Sequence, residues 1–124
     1  MNNKEQKIEN AAEEVAQITE INGSVDAEQI QAWKNRYGRI VEVCVADEEV
    51  GEKHIGYFRR PDSQAMQAFS AVSKNNEVKG SEIIFDNCWL GGSPMMKSDA
   101  IYKINATGML TTMFSRCSNS LKNL

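Results

Sequence analysis

Apolar residues recur at helical spacing in the first part of the chain. Ile8, Ala11, Val15 and Ile18 share one stripe and Glu5, Glu9, Glu13 and Glu14 fall off it, which predicts an amphipathic helix over Lys4–Ile21. A helix this short is marginal alone in water, so its stripe must rest on the rest of the domain, a second copy or a partner. Asn22-Gly23-Ser24 tolerates left-handed backbone and ends it. A second helix starts from Asp26 as N-cap with Gln29 at the third helical position, presents Ile30, Trp33 and Tyr37 on one face, and stops at Gly38.

The period then changes. Arg39–Val45 alternates, with Val41, Val43 and Val45 on one face and Ile40, Glu42 and Cys44 on the other, as a strand does. His54–Arg59 returns with Ile55 and Tyr57 opposite Phe58, and the acidic linker between them holds Gly51, so the two runs predict a β-hairpin. Arg60-Pro61-Asp62 ends the ladder, and Asp62 or Ser63 caps a helix carrying Ala65, Phe69 and Val72. Another helix is expected over Glu77–Leu90, with Val78, Ile83, Ile84, Cys88 and Leu90 on its apolar face and Gly91-Gly92-Ser93-Pro94 as its stop. A last helix runs from Ser98 or Asp99 to about Cys117, with Leu110, Phe114 and Cys117 on its apolar side. No βαβ alternation occurs, which argues against a parallel sheet. The expected fold is therefore α+β: one antiparallel hairpin packed by about three following helices, with a helical N-terminal extension. The expected limits are 1–24 for the extension, 25–118 for the domain and 119–124 for a frayed tail.

Composition narrows the class. The 124 residues suit one domain, at 41% hydrophobic and 25% charged, with a net charge of −3 that lowers the expectation of general nucleic-acid binding. No apolar run is long enough to span a membrane, and the glutamate-rich start has no signal-peptide h-region. Cys44, Cys88 and Cys117 are odd in number and widely spaced, as expected of buried, reduced thiols in an intracellular protein.

The stretch DNCWLGGSP, residues 86–94, is the most unusual in the chain and the first place to look for chemistry. A nucleophilic cysteine needs a stabilised thiolate, whereas Cys88 falls at a predicted helix C-terminus, where the macrodipole disfavours negative charge. The sequence therefore predicts Cys88 inward, Trp89 packed on the hairpin or its preceding helix, and Gly91 or Gly92 at positive φ. Neither a GxxxxGK[ST] nor a GxGxxG context surrounds the glycines. His54, the one histidine, cannot assemble a metal site without further ligands, and Asp47-Glu48-Glu49 reads as a solvated hairpin tip. No catalytic, metal-binding or cofactor-binding residue is assigned, and the protein is expected not to be an enzyme. The competing reading is a small thiol enzyme using Cys88 with His54 as base, and a further one an unrelated bacterial adaptor. The basic pair Arg59-Arg60, brought near Lys34, Arg36 and Arg39 by the hairpin, is the best candidate for an acidic partner. With Trp89 and the adjacent methionines Met95 and Met96, read as a loop, Arg59 and Arg60 make up the candidate protein-binding residues.

The block GYFRRPDSQAM…EIIFDNCWLGGSP, roughly residues 56–94, resembles small proteins encoded in the tail gene clusters of tailed phages and prophages. In that family an acidic residue tends to follow the two glycines; here Ser93 stands there. The resemblance implies a tail assembly chaperone acting in the bacterial host cytoplasm, binding the tape-measure protein and helping to recruit tail-tube subunits. It also implies self-association or a long helical client, without membrane or specific nucleic-acid partners, and it implies no catalytic residues.

Overall fold

The computed structural model describes residues 18–124. The chain is a mixed α+β structure with, among the described residues, a four-stranded sheet and five helices: β1 (Thr19–Ile21), α1 (Ala27–Tyr37), β2 (Ile40–Asp47), β3 (Glu52–Arg59), α2 (Ser63–Ser73), α3 (Glu77–Cys88), β4 (Trp89–Gly92), α4 (Pro94–Ser98) and α5 (Ala100–Thr111), followed by a 3₁₀ turn over Thr112–Ser115. β2 and β3 pair antiparallel from Ile40–Arg59 to Asp47–Glu52. On the other edge of β3, β1 runs parallel to Glu52–His54 and β4 antiparallel to Gly56–Phe58, end to end. β3 is thus hydrogen-bonded on both sides along its length, which explains why His54 to Phe58 are all buried.

The alternation expected along the two long strands sorts their side chains. Val41, Val43 and Val45 share a face with His54 and Phe58 across the ladder, and this face packs on α3, α5 and α4 through Ile84, Phe85, Cys88, Met96, Ala106 and Leu110. The opposite face holds Ile55 and Tyr57, and Trp33 of α1 lies against Tyr57 with ring centroids 5.8 Å apart. α1 buries no residue completely, so it is the most lightly held of the long helices. Its caps are as the residues dictate: the Gln29 N–H donates to Asp26 Oδ1 at 2.9 Å, and Gly38 closes it at φ 79°.

Several expectations are corrected. The helix over Lys4–Ile21 lies outside the described residues as far as position 17, and its last turn is strand β1, so the sheet takes in residues assigned to the extension. The helix over Glu77–Leu90 ends at Cys88, because Trp89 is already extended (φ −61°, ψ 127°) and Gly91 and Gly92 pair with β3. Met95 and Met96 lie on the short helix α4 and not in a loop, which makes four helices after the hairpin. The last helix becomes a 3₁₀ turn at Thr112; Leu110 is buried as expected, whereas Phe114 and Cys117 are exposed, as is the Cys44 thiol, and Tyr102, Ala106, Thr107 and Met113 complete the buried side.

Candidate functional site

The DNCWLGGSP stretch is a structural joint in which most positions have a separate contact. Asn87 accepts twice from Arg59, through its backbone carbonyl at 3.1 Å and its side-chain oxygen at 2.8 Å. Cys88 is fully buried in the core. Trp89 stacks on Phe85 at 5.5 Å and meets Phe58 edge-on at 5.4 Å, leaving part of its ring open beneath the Lys97 ammonium. Gly91 lies under the Trp33 ring, where an added Cβ would come within 2.9 Å of the indole. Gly92, at φ 141°, lets the backbone press against Ile55 and Gly56 of β3. Cys88 inward, Trp89 on the hairpin and a positive φ at Gly92 are as the residues led one to expect, although the glycines build a strand where a helix stop was predicted.

Ser93 has a role that the sequence did not reveal. Its side chain lies 2.7 Å from His54 Nδ1, and His54 Nε2 lies 2.9 Å from Glu52 Oε2. A carboxylate can only accept, so the His54 Nε2–H donates to Glu52, while Nδ1 is engaged with the Ser93 hydroxyl. Acid, imidazole and hydroxyl stand in the order of a hydrolytic triad, but Ser93 and His54 are both completely buried, so no substrate reaches the hydroxyl. The arrangement fixes the β3–α4 connection. It also engages both nitrogens of His54, so neither serves Cys88. Burial pushes the Cys88 thiol up to about 11, and the opposing pull of Arg59 does not offset it.

Next to this cluster the His54 ring packs on Tyr102 at 4.5 Å, and the Tyr102 hydroxyl donates to Asp47 Oδ2 at 2.6 Å. The Asp47 hydrogen bond, reinforced by burial and by the charges of Asp47, Asp99 and Glu52, pushes the phenol up to about 12. A raised phenol favours the neutral form in the folded state, so its contribution is complete below the ordinary value of about 10 and is lost as pH climbs through the folded value. Urea unfolding of the wild type and of Tyr102→Phe is expected to show a midpoint gap that is constant below pH 10 and closes toward pH 12. A gap that widens above pH 10 would contradict the assigned hydrogen bond.

Two open surfaces are lined by side chains suited to binding. The first is a groove of about 720 Å³ between α2 and α3 on one wall and α5 on the other. Phe69 and Val78 face Ile104 across it, and Val78 and Ile104 are each 62% exposed. Its α5 wall carries Thr107, Gly108 and Thr111, and a Cβ on Gly108 would meet nothing within 4 Å. Glu77 and Glu82 edge one side and Lys97 and Lys103 the other. The second is a basic groove at the far end of the hairpin, with Lys34, Arg39, Arg60 and Arg116 along its walls.

The candidate residues are therefore divided. Arg60 lines the basic groove, whereas Arg59 is held by Asn87 and Asp62 and lies over the Tyr37 ring, which Arg36 also covers at 5.1 Å. Met95 is 42% exposed, Met96 is wholly inside the core, and Trp89 is half core and half surface. Arg116 and Ile104 were not singled out by the sequence, since each gains meaning only from an element distant in the chain, and Val78, expected on the packed apolar face of its helix, is instead 62% exposed. Among the described residues no group of three or more metal-ligating side chains occurs, and no helix is long and apolar enough to cross a membrane.

No family model matches the chain, and no curated protein matches it. Among solved structures, the fold resembles that of an uncharacterised protein, rbstp2171 of Bacillus stearothermophilus, with a TM-score of 0.52 at 18% identity over 75% of this chain and 99% of that one. At that identity the likeness concerns the fold alone.

Proposed function

We propose that this chain is a non-enzymatic protein-binding protein, a phage-type tail assembly chaperone that holds the tape-measure protein in the bacterial cytoplasm during tail assembly. The resemblance of residues 56–94 supplies the specific role. The observation that carries the binding mode is the open apolar groove between α3 and α5. Its occupant is an amphipathic helix of the client: Phe69, Val78 and Ile104 offer apolar contacts from three helices, and the open space at Gly108 lets a second backbone approach closely. The acidic and basic edges give the bound helix a preferred direction. The runner-up, a thiol enzyme, has against it a Cys88 thiol that is buried and neutral and a His54 bonded elsewhere.

Co-expression with the tape-measure protein from the same gene neighbourhood tests the reading. The wild type is expected to co-purify with the client, and Val78→Asp with Ile104→Asp to lose most of that capture at an unchanged melting temperature, since both side chains are already largely in water. A soluble client that does not co-purify with the wild type would defeat the chaperone assignment. Capture unaffected by the double substitution would defeat the groove as its site.

A further inference from the structure

The basic groove stands apart from the apolar one and calls for its own account. Lys34 comes from the last turn of α1, Arg39 from just before β2, Arg60 from just beyond β3 and Arg116 from just beyond the 3₁₀ turn. Four separate parts of the chain thus deliver one cation each to a single concavity of about 590 Å³. Protection of an exposed strand edge by charge does not account for the group, since Lys34, Arg39, Arg60 and Arg116 all lie outside the strands. Among the described residues none of the four makes an ion pair and no carboxylate lines the groove, in a protein with 17 acidic residues to 14 basic ones. Gathering like charges without a counter-charge raises the energy of the folded chain, and an anionic ligand removes that cost.

The floor decides which anion. Between the cations lie Ile40, Val41 and Met113, with Met113 only 9% exposed, so the groove pairs positive walls with an apolar base. Among the described residues no aromatic ring lines it on which a nucleobase could stack. Inorganic phosphate would leave the apolar base uncovered. We infer that this groove is a second binding site, which takes an acidic segment of a partner protein whose carboxylates meet Lys34, Arg39, Arg60 and Arg116 while an apolar side chain sits on Ile40 and Met113. The site is independent of the groove between α3 and α5 and stands or falls without it.

The protein carries its own reporter. Cys117 lines the groove and is exposed, Cys44 is exposed elsewhere, and Cys88 is buried. The probe is a short synthetic peptide in which glutamates alternate with leucines, titrated into the full chain by fluorescence anisotropy and by competition with iodoacetamide alkylation. The peptide is expected to bind, to weaken as salt rises, and to slow alkylation of Cys117 while leaving Cys44 unaffected. Arg60→Glu with Arg116→Glu, both on the surface, should weaken binding at least about tenfold with the melting temperature retained. A lysine–leucine peptide of the same length should not bind. Equal binding by the charge-reversed protein, protection of both thiols alike, or no binding by the wild type would each overturn the proposal. Tighter binding of oligothymidylate than of the acidic peptide would overturn it in favour of a nucleic-acid site.

Discussion

Gly92→Ala is expected to destabilise the protein by about 3 kcal/mol or more, an effect large for one methyl group. Two costs act together. At φ 141° the backbone lies in a region that is almost exclusive to glycine, and a side chain there costs about 1–3 kcal/mol. The new Cβ would also collide with the Ile55 carbonyl oxygen and come within 2.7 Å of Gly56 Cα, both main-chain atoms of the strand paired on two edges. They cannot turn aside as a side chain does. Relief requires β4 to part from β3, which breaks the Ser93 N–H to Ile55 carbonyl bond at 2.8 Å and pulls Ser93 off His54. Gly91→Ala is the graded control, since the three atoms nearest its Cβ are side-chain atoms of Trp33, on lightly held α1, and of Val25. Urea titration should rank Gly92→Ala well below Gly91→Ala in midpoint, with the loss at Gly91 confined to α1 in amide exchange. Equal, small losses at both positions would show that β4 does not press on β3 as described.

What the sequence discloses and what it hides follow from the range of the interactions. Caps are local, so Asp26, Asp62 and Asp99 could be read as helix starts, and each accepts from the amides two or three residues on. Strands β2 and β3 are long enough to alternate, and their two faces were legible from Val41, Val43 and Val45 alone. β1 and β4 have only three and four residues, too few for any period, and exist because β3 offers them an edge. The helix read as far as Ile21 took in the residues of β1, and Leu90 continued the apolar face of α3, so periodicity pointed one way and tertiary pairing the other. The candidate sites divide along the same line. Arg60, Lys34 and Arg39 are close to the hairpin in sequence and could be grouped. Arg116 reaches them only because the end of the chain returns to the open end of the hairpin, and Ser93 reaches His54 across 39 positions.

The aromatic cluster carries the second large prediction. Phe58 is completely buried and meets Phe85 at 5.2 Å and Trp89 at 5.4 Å, both edge-to-face. Truncating such a ring removes its transfer free energy and leaves a cavity that neighbours on a paired strand and a helix cannot close. Phe58→Ala is expected to cost about 3–5 kcal/mol, the lost edge-to-face contacts included. Against a typical total of about 5–15 kcal/mol, the variant stands near the limit of folding. Phe58→Leu keeps most of the volume and serves as the measurable companion, with a loss of less than about 2 kcal/mol. Trp89→Ala should fall between them. Part of its ring is open under Lys97, and that part gives up little when removed, while the face stacked on Phe85 is lost in full. The expected order of urea midpoints, Phe58→Leu above Trp89→Ala above Phe58→Ala with a common slope, is therefore a test of where the core is centred. A Trp89→Ala protein that melts like the wild type yet loses client capture would move Trp89 out of the core and onto the binding surface.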